Sequence, residues 1–263
     1  MSLLASLVIP VFNQVKFTQD CLESILRDSD RQPYEIIIVD NGSTDGTRQY
    51  LETKSRELDR SRDRLITICN ETNLGVAPAW NQGLKAATGR TIGILNNDIV
   101  VTRGWYRSLL WAMDYHRIGM ISPYAAGGPF DYDLEGRSRE FTRKNLGRLW
   151  PDYDFCAVVL TRKTYERIGL FDEKYLVGGY EDQDYALRLS EAGIRYGVTG
   201  ASFIHHFGSQ TLGEFKKRGD QHAAHNRQYF MEKWKRDPSE GVASVATKLR
   251  RTWRNVKMKW GYM

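Results

Sequence analysis

The chain has 263 residues, with 38 Lys and Arg against 32 Asp and Glu, a net charge of +6, 41% apolar and 27% charged residues. This is a globular composition, long enough for one large domain or two small ones, and it excludes a disordered or fibrous chain. The bases Lys248, Arg250, Arg251, Arg254, Lys257 and Lys259 account for the whole excess, so the body is formally neutral and carries no basic stripe for nucleic acid.

Three widely spaced cysteines, Cys21, Cys69 and Cys156, form neither a disulfide framework nor a zinc pattern. The longest nearly uncharged apolar stretch, Leu3 to Phe12, is broken by Pro10 and is far short of the roughly 20 residues a membrane span needs. With no secretory leader pattern either, the expectation is a reduced, cytoplasmic protein.

In chain order, Ser6–Phe12 reads as a buried strand and Lys16–Arg27 as a helix with Phe17, Cys21, Leu22 and Ile25 inward. Glu35–Val39 is a second strand, followed by a helix over Thr47–Leu58. Leu65–Cys69 is a third strand, Ala77–Ala87 a helix and Thr91–Leu95 a fourth strand. Four such β-α units predict an α/β fold, a doubly wound, mostly parallel sheet flanked by helices. Ligands of such sheets bind beyond the carboxyl ends of the strands, which points to the residues after Val39 and Leu95. Tyr124–Asp154 reads as an irregular excursion over a site. It carries the aromatics Phe130, Tyr132, Phe141 and Trp150. Phe155–Leu160 is strand-like, Lys163–Ile168 helical, Tyr180–Ala192 a helix opened by acids, Arg195–Ile204 extended and Glu214–Trp234 helical.

The tail places Val242, Val245, Ala246, Leu249, Trp253, Val256 and Trp260 on one helical face flanked by bases. Two readings stand: the segment 242–260 lies on an anionic membrane surface, or it packs on the body or on a second subunit of a homodimer.

Four clusters carry candidate chemistry. Asp40 to Thr47 follows a strand and opens a helix; Asp45 and Ser43 are N-cap types, whereas Asp40 is not needed as a cap and can accept from a base or ribose. Leu95-Asn96-Asn97-Asp98 ends a strand in a carboxylate suited to a divalent metal. Gly178 and Gly179 precede Glu181, Asp182 and Asp184, acids that a helix N-terminus favours. The fourth cluster is His205-His206, of which at most one suits a metal.

In their order and spacing, Val8 to Asn13, Val39 to Asp45, Asn73-Leu74-Gly75, Leu95 to Asp98, Glu181 to Asp184 and His205-His206 resemble the successive motifs of glycosyltransferase family 2, from about residue 5 to 212. The resemblance implies a GT-A catalytic domain over 1–212, with a nucleotide-sugar half to about residue 100 and an acceptor half beyond it. A C-terminal helical extension would occupy 213–263. It implies nucleotide contacts at Pro10, Val11, Asn13, Asp40, Asn73 and Asn97, a metal (Mn²⁺ or Mg²⁺) at Asp98 and His206 or alternatively His205, and Asp182 as the catalytic base. Glu181 and Asp184 would position the acceptor or the loop, and the segment Tyr124 to Trp150 would contact the acceptor, its aromatics stacking on sugar rings. Asn41 and Asn96 depart from the family pattern, each standing where an Asp is common; the second leaves one carboxylate of the D-x-D element.

The implied reaction is inverting transfer of a single sugar from a nucleoside-diphosphate sugar, UDP-sugar as the first guess, to a carbohydrate or lipid-linked acceptor. That points to cell-surface polysaccharide or glycolipid synthesis by a cytoplasmic protein, peripheral on the inner face of the plasma membrane under the membrane reading of the tail. The processive Gln-x-x-Arg-Trp motif is not matched at Gln228–Trp234. The alternative is a membrane-associated scaffold that binds nucleotide sugars without turnover. A dinucleotide oxidoreductase fits less well, because no Gly-x-Gly-x-x-Gly follows the first strand.

Overall fold

The computed structural model describes residues 5–27, 33–58, 63–208 and 221–238. The amphipathic tail over 242–260, the 212/213 boundary and the 214–220 start of the last expected helix lie outside these residues. In chain order the elements are β1 (Ala5–Val11), α1 (Val15–Leu26), β2 (Tyr34–Asp40), α2 (Thr47–Leu58), β3 (Arg64–Cys69), α3 (Val76–Ala86), β4 (Thr91–Leu95) and β5 (Ile99–Val101). There follow α4 (Trp105–His116), β6 (Met120–Ala126), α5 (Leu134–Asn145), β7 (Leu149–Trp150), β8 (Ala157–Thr161), α6 (Arg162–Ile168), α7 (Glu181–Glu191), β9 (Tyr196–His206) and α8 (Gln221–Trp234).

The strands form one sheet in the order β3-β2-β1-β4-β8-β6-β9-β5, with β7 paired to β9. The first four strands are parallel, as the β-α repeat requires. Side chains alternate between two buried layers. Leu7, Ile9, Ile36 and Ile38 face α1 and α4 through Leu22, Ile25, Trp105 and Leu109. Val8, Ile37, Ile92 and Ile94 face α3 and α7 through Trp80, Leu84, Tyr185 and Leu189. A strand buried on both faces is apolar throughout, which is why these runs show little alternation in the sequence. At Gly83 a Cβ would stand 2.2 Å from Val8 Cγ1, so the close approach of α3 to the sheet depends on its absence.

Beyond β4 the sheet becomes mixed. β8 runs antiparallel to β4 with Leu95 opposite Ala157, and β5 runs antiparallel to β9 with Ile99 opposite His206. These two registers bring the segments 96–98, 154–156 and 205–207 to one rim.

The segment 124–154, expected to be irregular, is ordered: it contains the end of β6, all of α5, and β7. The correction has a physical cause. α5 buries only Leu134 and Ser138, too few apolar positions to show a 3.6-residue period. Its place comes from contacts distant in sequence, where Leu134 and Phe141 meet Val100, Ala126 and Phe203. β5, α4 and the start of β6 likewise had no counterpart among the expected elements.

Candidate active site

A cavity of about 260 Å³ opens at the carboxyl ends of β1 and β4, where a doubly wound sheet places its ligands. Its floor is Pro10–Phe12, and Asn41 and Asn73 come from the loops after β2 and β3. Asn96, Asn97 and Asp98 follow β4, Asp154–Cys156 precede β8, and Glu181 and Asp182 open α7. Trp80 gives it an apolar wall, packed on Phe155 and Phe171 at centroid distances of 6.2 and 4.7 Å.

Asp98 and Asp182, taken from separate motifs, therefore line one cavity, and so do Pro10, Val11, Asn73, Asn97 and Glu181. Asp40 does not. It is fully buried, with Oδ1 accepting the Ser43 N–H at 2.9 Å and Oδ2 paired with Arg48 Nε at 2.7 Å. Its neighbour Asn41 reaches the cavity instead, donating to Asn73 Oδ1 and the Gly75 carbonyl while accepting from Asn70 Nδ2 and the Leu74 N–H. Asn13, in the left-handed region at φ 54°, also lies outside the cavity wall. Its N–H donates to Ser43 Oγ, and its Oδ1 accepts from the Thr44 N–H. Asp45 accepts from the Val15 N–H and from Thr47, so one carboxylate ties together the starts of α1 and α2.

The acids of α7 divide their work. Glu181 is buried and accepts the Gly179 N–H; burial and then the Asp182 charge push its carboxyl up to about 8. Asp182 is also raised above the ordinary carboxylate range, by burial first and by the nearby Asp154 charge. Asp184 faces away from the cavity. It pairs with Arg188 at 2.9 Å and Lys233 at 2.6 Å, and accepts from Trp234 Nε1 at 2.9 Å, which ties α7 to α8.

The loop before α7 is conformationally strained. Val177 and Tyr180 lie at φ 56° and 75°, costly for non-glycine residues, while Gly179 at φ 110° needs no Cβ accommodated. Asn226, on α8, holds this loop: its Nδ2 donates to the carbonyls of Leu176, Gly178 and Gly179, and its Oδ1 accepts the Leu176 N–H. The C-terminal helix thus takes part in shaping the site.

The two histidines point to opposite faces of β9. His205 is fully buried, with Nδ1 2.8 Å from Tyr132 OH and its ring stacked on Phe130; burial lowers its pKa. His206 Nε2 is enclosed and lies 3.3 Å from Asp98 Oδ1, a charge contact rather than an aligned hydrogen bond. Burial pulls the His206 pKa down, but Asp98 outweighs it and the net shift is upward. An enclosed imidazole nitrogen beside a carboxylate is a donor set that fits a divalent metal.

Two residues on this rim escaped the sequence analysis. Asp154 and Cys156 border the cavity, and their ligand atoms and that of His206 lie within 4.8 Å of one another. The signal was present as Asp154 directly before an apolar run. Because β8 is antiparallel to β4, an acid before β8 occupies the same rim as an acid after β4, but strand direction is not written in the local sequence. Of the aromatics expected to contact the acceptor, none borders the cavity: Phe141 and Trp150 cluster with Tyr124 and Phe203, and Phe130 and Tyr132 with His205.

A family model described as "Glycosyl transferase family 2" matches residues 6–169. The uncharacterized glycosyltransferase EpsJ of Bacillus subtilis is 28% identical over 118 residues, 45% of this chain and 33% of that protein. The putative teichuronic acid biosynthesis glycosyltransferase TuaG of the same organism is 35% identical over 95 residues, 36% of each. The chain spans 33–43% of the length of these and two similar curated relatives. Among solved structures, the mannosyltransferase PcManGT from Pyrobaculum calidifontis, in complex with GDP-Man and Mn²⁺, superposes with a TM-score of 0.65 at 18% identity, covering 88% of this chain and 65% of that one.

Proposed function

The chain belongs to glycosyl transferase family 2 and has the GT-A fold, and from that premise we propose that it transfers a single sugar from a nucleoside-diphosphate sugar to an acceptor hydroxyl with inversion. The observation that carries the reading is that Asp98 and Asp182, far apart in the chain, line one cavity at the carboxyl ends of parallel strands.

The chemistry follows from the residues. A hydroxyl is a poor nucleophile, and Asp182 is the group that takes its proton; a carboxyl raised above its ordinary range by burial is a stronger base than an exposed Asp. Glu181, pushed up to about 8, is largely protonated at neutral pH, so beside Asp182 it can donate a hydrogen bond to the acceptor or to the ionised base. One base and one displacement need no covalent intermediate, hence inversion. The nucleotide lies along Pro10, Val11, Asn73 and Asn97, on a wall kept rigid by the Asn41 network and by the Asp40–Arg48 pair behind it. Mn²⁺ or Mg²⁺, held by Asp98 and His206, would supply positive charge against the departing diphosphate.

A UDP-sugar is the first donor to test and a GDP-sugar the second, since PcManGT holds GDP-Man. TuaG, named for teichuronic acid biosynthesis, supports an acceptor in cell-surface polysaccharide or glycolipid synthesis. Among the described residues no helix is long and apolar enough to cross a membrane; the basic face over 242–260 would bring the enzyme to an anionic inner leaflet. Incubation of the chain with each nucleotide sugar and Mn²⁺ tests the reading. Slow release of nucleoside diphosphate from one donor is the expected result, and release from none, with no binding, would refute it.

A further inference from the structure

The proposed function places a metal at Asp98 and His206, and the following inference rests on that location. The fold delivers two more donors there, one of them a thiol. Ligand atoms of Asp154, Cys156 and His206 lie within 4.8 Å of one another, and His206 Nε2 is 3.3 Å from Asp98 Oδ1. Around a tetrahedral ion with bonds of about 2.0–2.3 Å, neighbouring donor atoms are roughly 3.5 Å apart. The Asp98–His206 pair is already at that spacing, and the Asp154, Cys156 and His206 donor atoms, all within 4.8 Å of one another, need a contraction of the order of 1 Å.

These donors are held by backbone bonds rather than by chance packing. The Asn96 N–H donates to the Cys156 carbonyl at 2.8 Å, and the Phe207 N–H donates to the Asp98 carbonyl at 2.9 Å. The Cys156 N–H donates to Asp154 Oδ1 at 3.0 Å. Three chain segments are thus laced together at the point where their donors meet. Asn96 supplies no carboxylate at the start of the Asn96-Asn97-Asp98 run, and Asp154 brings one across from the neighbouring strand. The other two cysteines are placed differently: Cys21 Sγ lies 3.7 Å from the Asn96 carbonyl within the core, and Cys69 is exposed at the end of β3.

We propose that Cys156 Sγ, together with carboxylate oxygens of Asp98 and Asp154 and Nε2 of His206, forms a thiolate-containing metal centre that takes Zn²⁺ or Co²⁺ more tightly than Mn²⁺, and Mn²⁺ more tightly than Mg²⁺. Thiolate sulfur and imidazole nitrogen are soft donors that favour the later transition metals, whereas Mg²⁺ demands oxygen ligands and gives up its water reluctantly. On binding, the metal–sulfur bond forms and the thiol proton passes to solvent.

The test is a Co²⁺ titration of the full chain, without nucleotide sugar, followed by absorption spectroscopy. The expected result is a near-ultraviolet sulfur-to-cobalt charge-transfer band together with visible ligand-field bands. Cys156→Ser should lose the charge-transfer band, keep the visible bands and bind Co²⁺ roughly tenfold more weakly. A Cys21→Ala/Cys69→Ser chain should keep both. Co²⁺ binding to the unaltered chain without the charge-transfer band overturns the thiolate ligand, whatever the fate of the variants, and leaves the Asp98–His206 site standing. A band that survives in folded Cys156→Ser overturns it equally. Nucleoside diphosphate release is measured separately, so failure of the transferase reading would not be mistaken for failure of this one.

Discussion

In the parallel half of the sheet, the polar residues that follow the strands bond to one another. Asn41 joins Asn70, Asn73, Leu74 and Gly75; Asp40 joins Ser43 and Arg48; Asp45 caps two helices. Beyond β4, buried acids stand beside other acids, and the pKa values of Glu181 and Asp182 are raised as a result. The first arrangement satisfies its polar groups and builds a rigid wall. The second keeps carboxyl groups in an unfavourable setting that only a reaction or a bound cation rewards. Asp184 marks the boundary between the two, an α7 acid that is fully paired.

The largest expected effect lies on the unsatisfied side. Asp182→Asn should reduce turnover by about 10²- to 10⁴-fold while leaving donor affinity in place, because it removes a general base and little volume. Steady-state kinetics beside a donor-binding isotherm check this; near-normal turnover would remove Asp182 from the mechanism. Asp184→Ala addresses the satisfied acid. Breaking its contacts with Arg188, Lys233 and Trp234 leaves Arg188 partly buried without its carboxylate, and Lys233 with Asp172 alone, and should cost about 3 kcal/mol in urea unfolding. A cost within error of zero would show that α8 does not depend on that anchor.

Asp98→Ala should weaken metal-dependent donor binding by about tenfold or more, with metal-free binding unchanged; an unaltered metal titration contradicts it. The smallest effect, and the most selective, is on Glu181. Its folded pKa of about 8 lies above that of an unfolded chain, so the folded state prefers its neutral form. Stability from this source is full below the ordinary glutamate range and is lost as pH rises to about 8. Glu181→Gln escapes that loss, so its Tm advantage should be near zero at acidic pH, grow with pH, and level off near pH 8 at roughly 5 °C or more. A Tm difference that is flat with pH would place Glu181 among the satisfied groups.

The same two halves differ in how far they could be read from the chain. Strands β1 to β4 and their helices appear as local apolar runs separated by turn residues, and the observed α2 (Thr47–Leu58) and β4 (Thr91–Leu95) have the expected limits. α5 has too few apolar positions to show a period, and β5 is three residues long. Neither carries a local signal strong enough to be seen. At the site, the motifs located Asp98 and the Glu181–Asp184 run, but not Asp154, Cys156 or Asn226, whose roles depend on which strand or loop lies beside them.

By itself the sequence determined the β-α repeat of the first hundred residues, the positions of the strand-end motifs and the family they belong to. Those properties depend on residues near one another in the chain. The tertiary structure decided which of two adjacent histidines meets Asp98, that Asp154 and Cys156 join them, that Asp40 is enclosed, and that α8 holds the loop before α7. Each of these depends on strand direction or register, which long-range pairing sets once the whole sheet has assembled; a strand shifted by one residue would turn the opposite histidine inward.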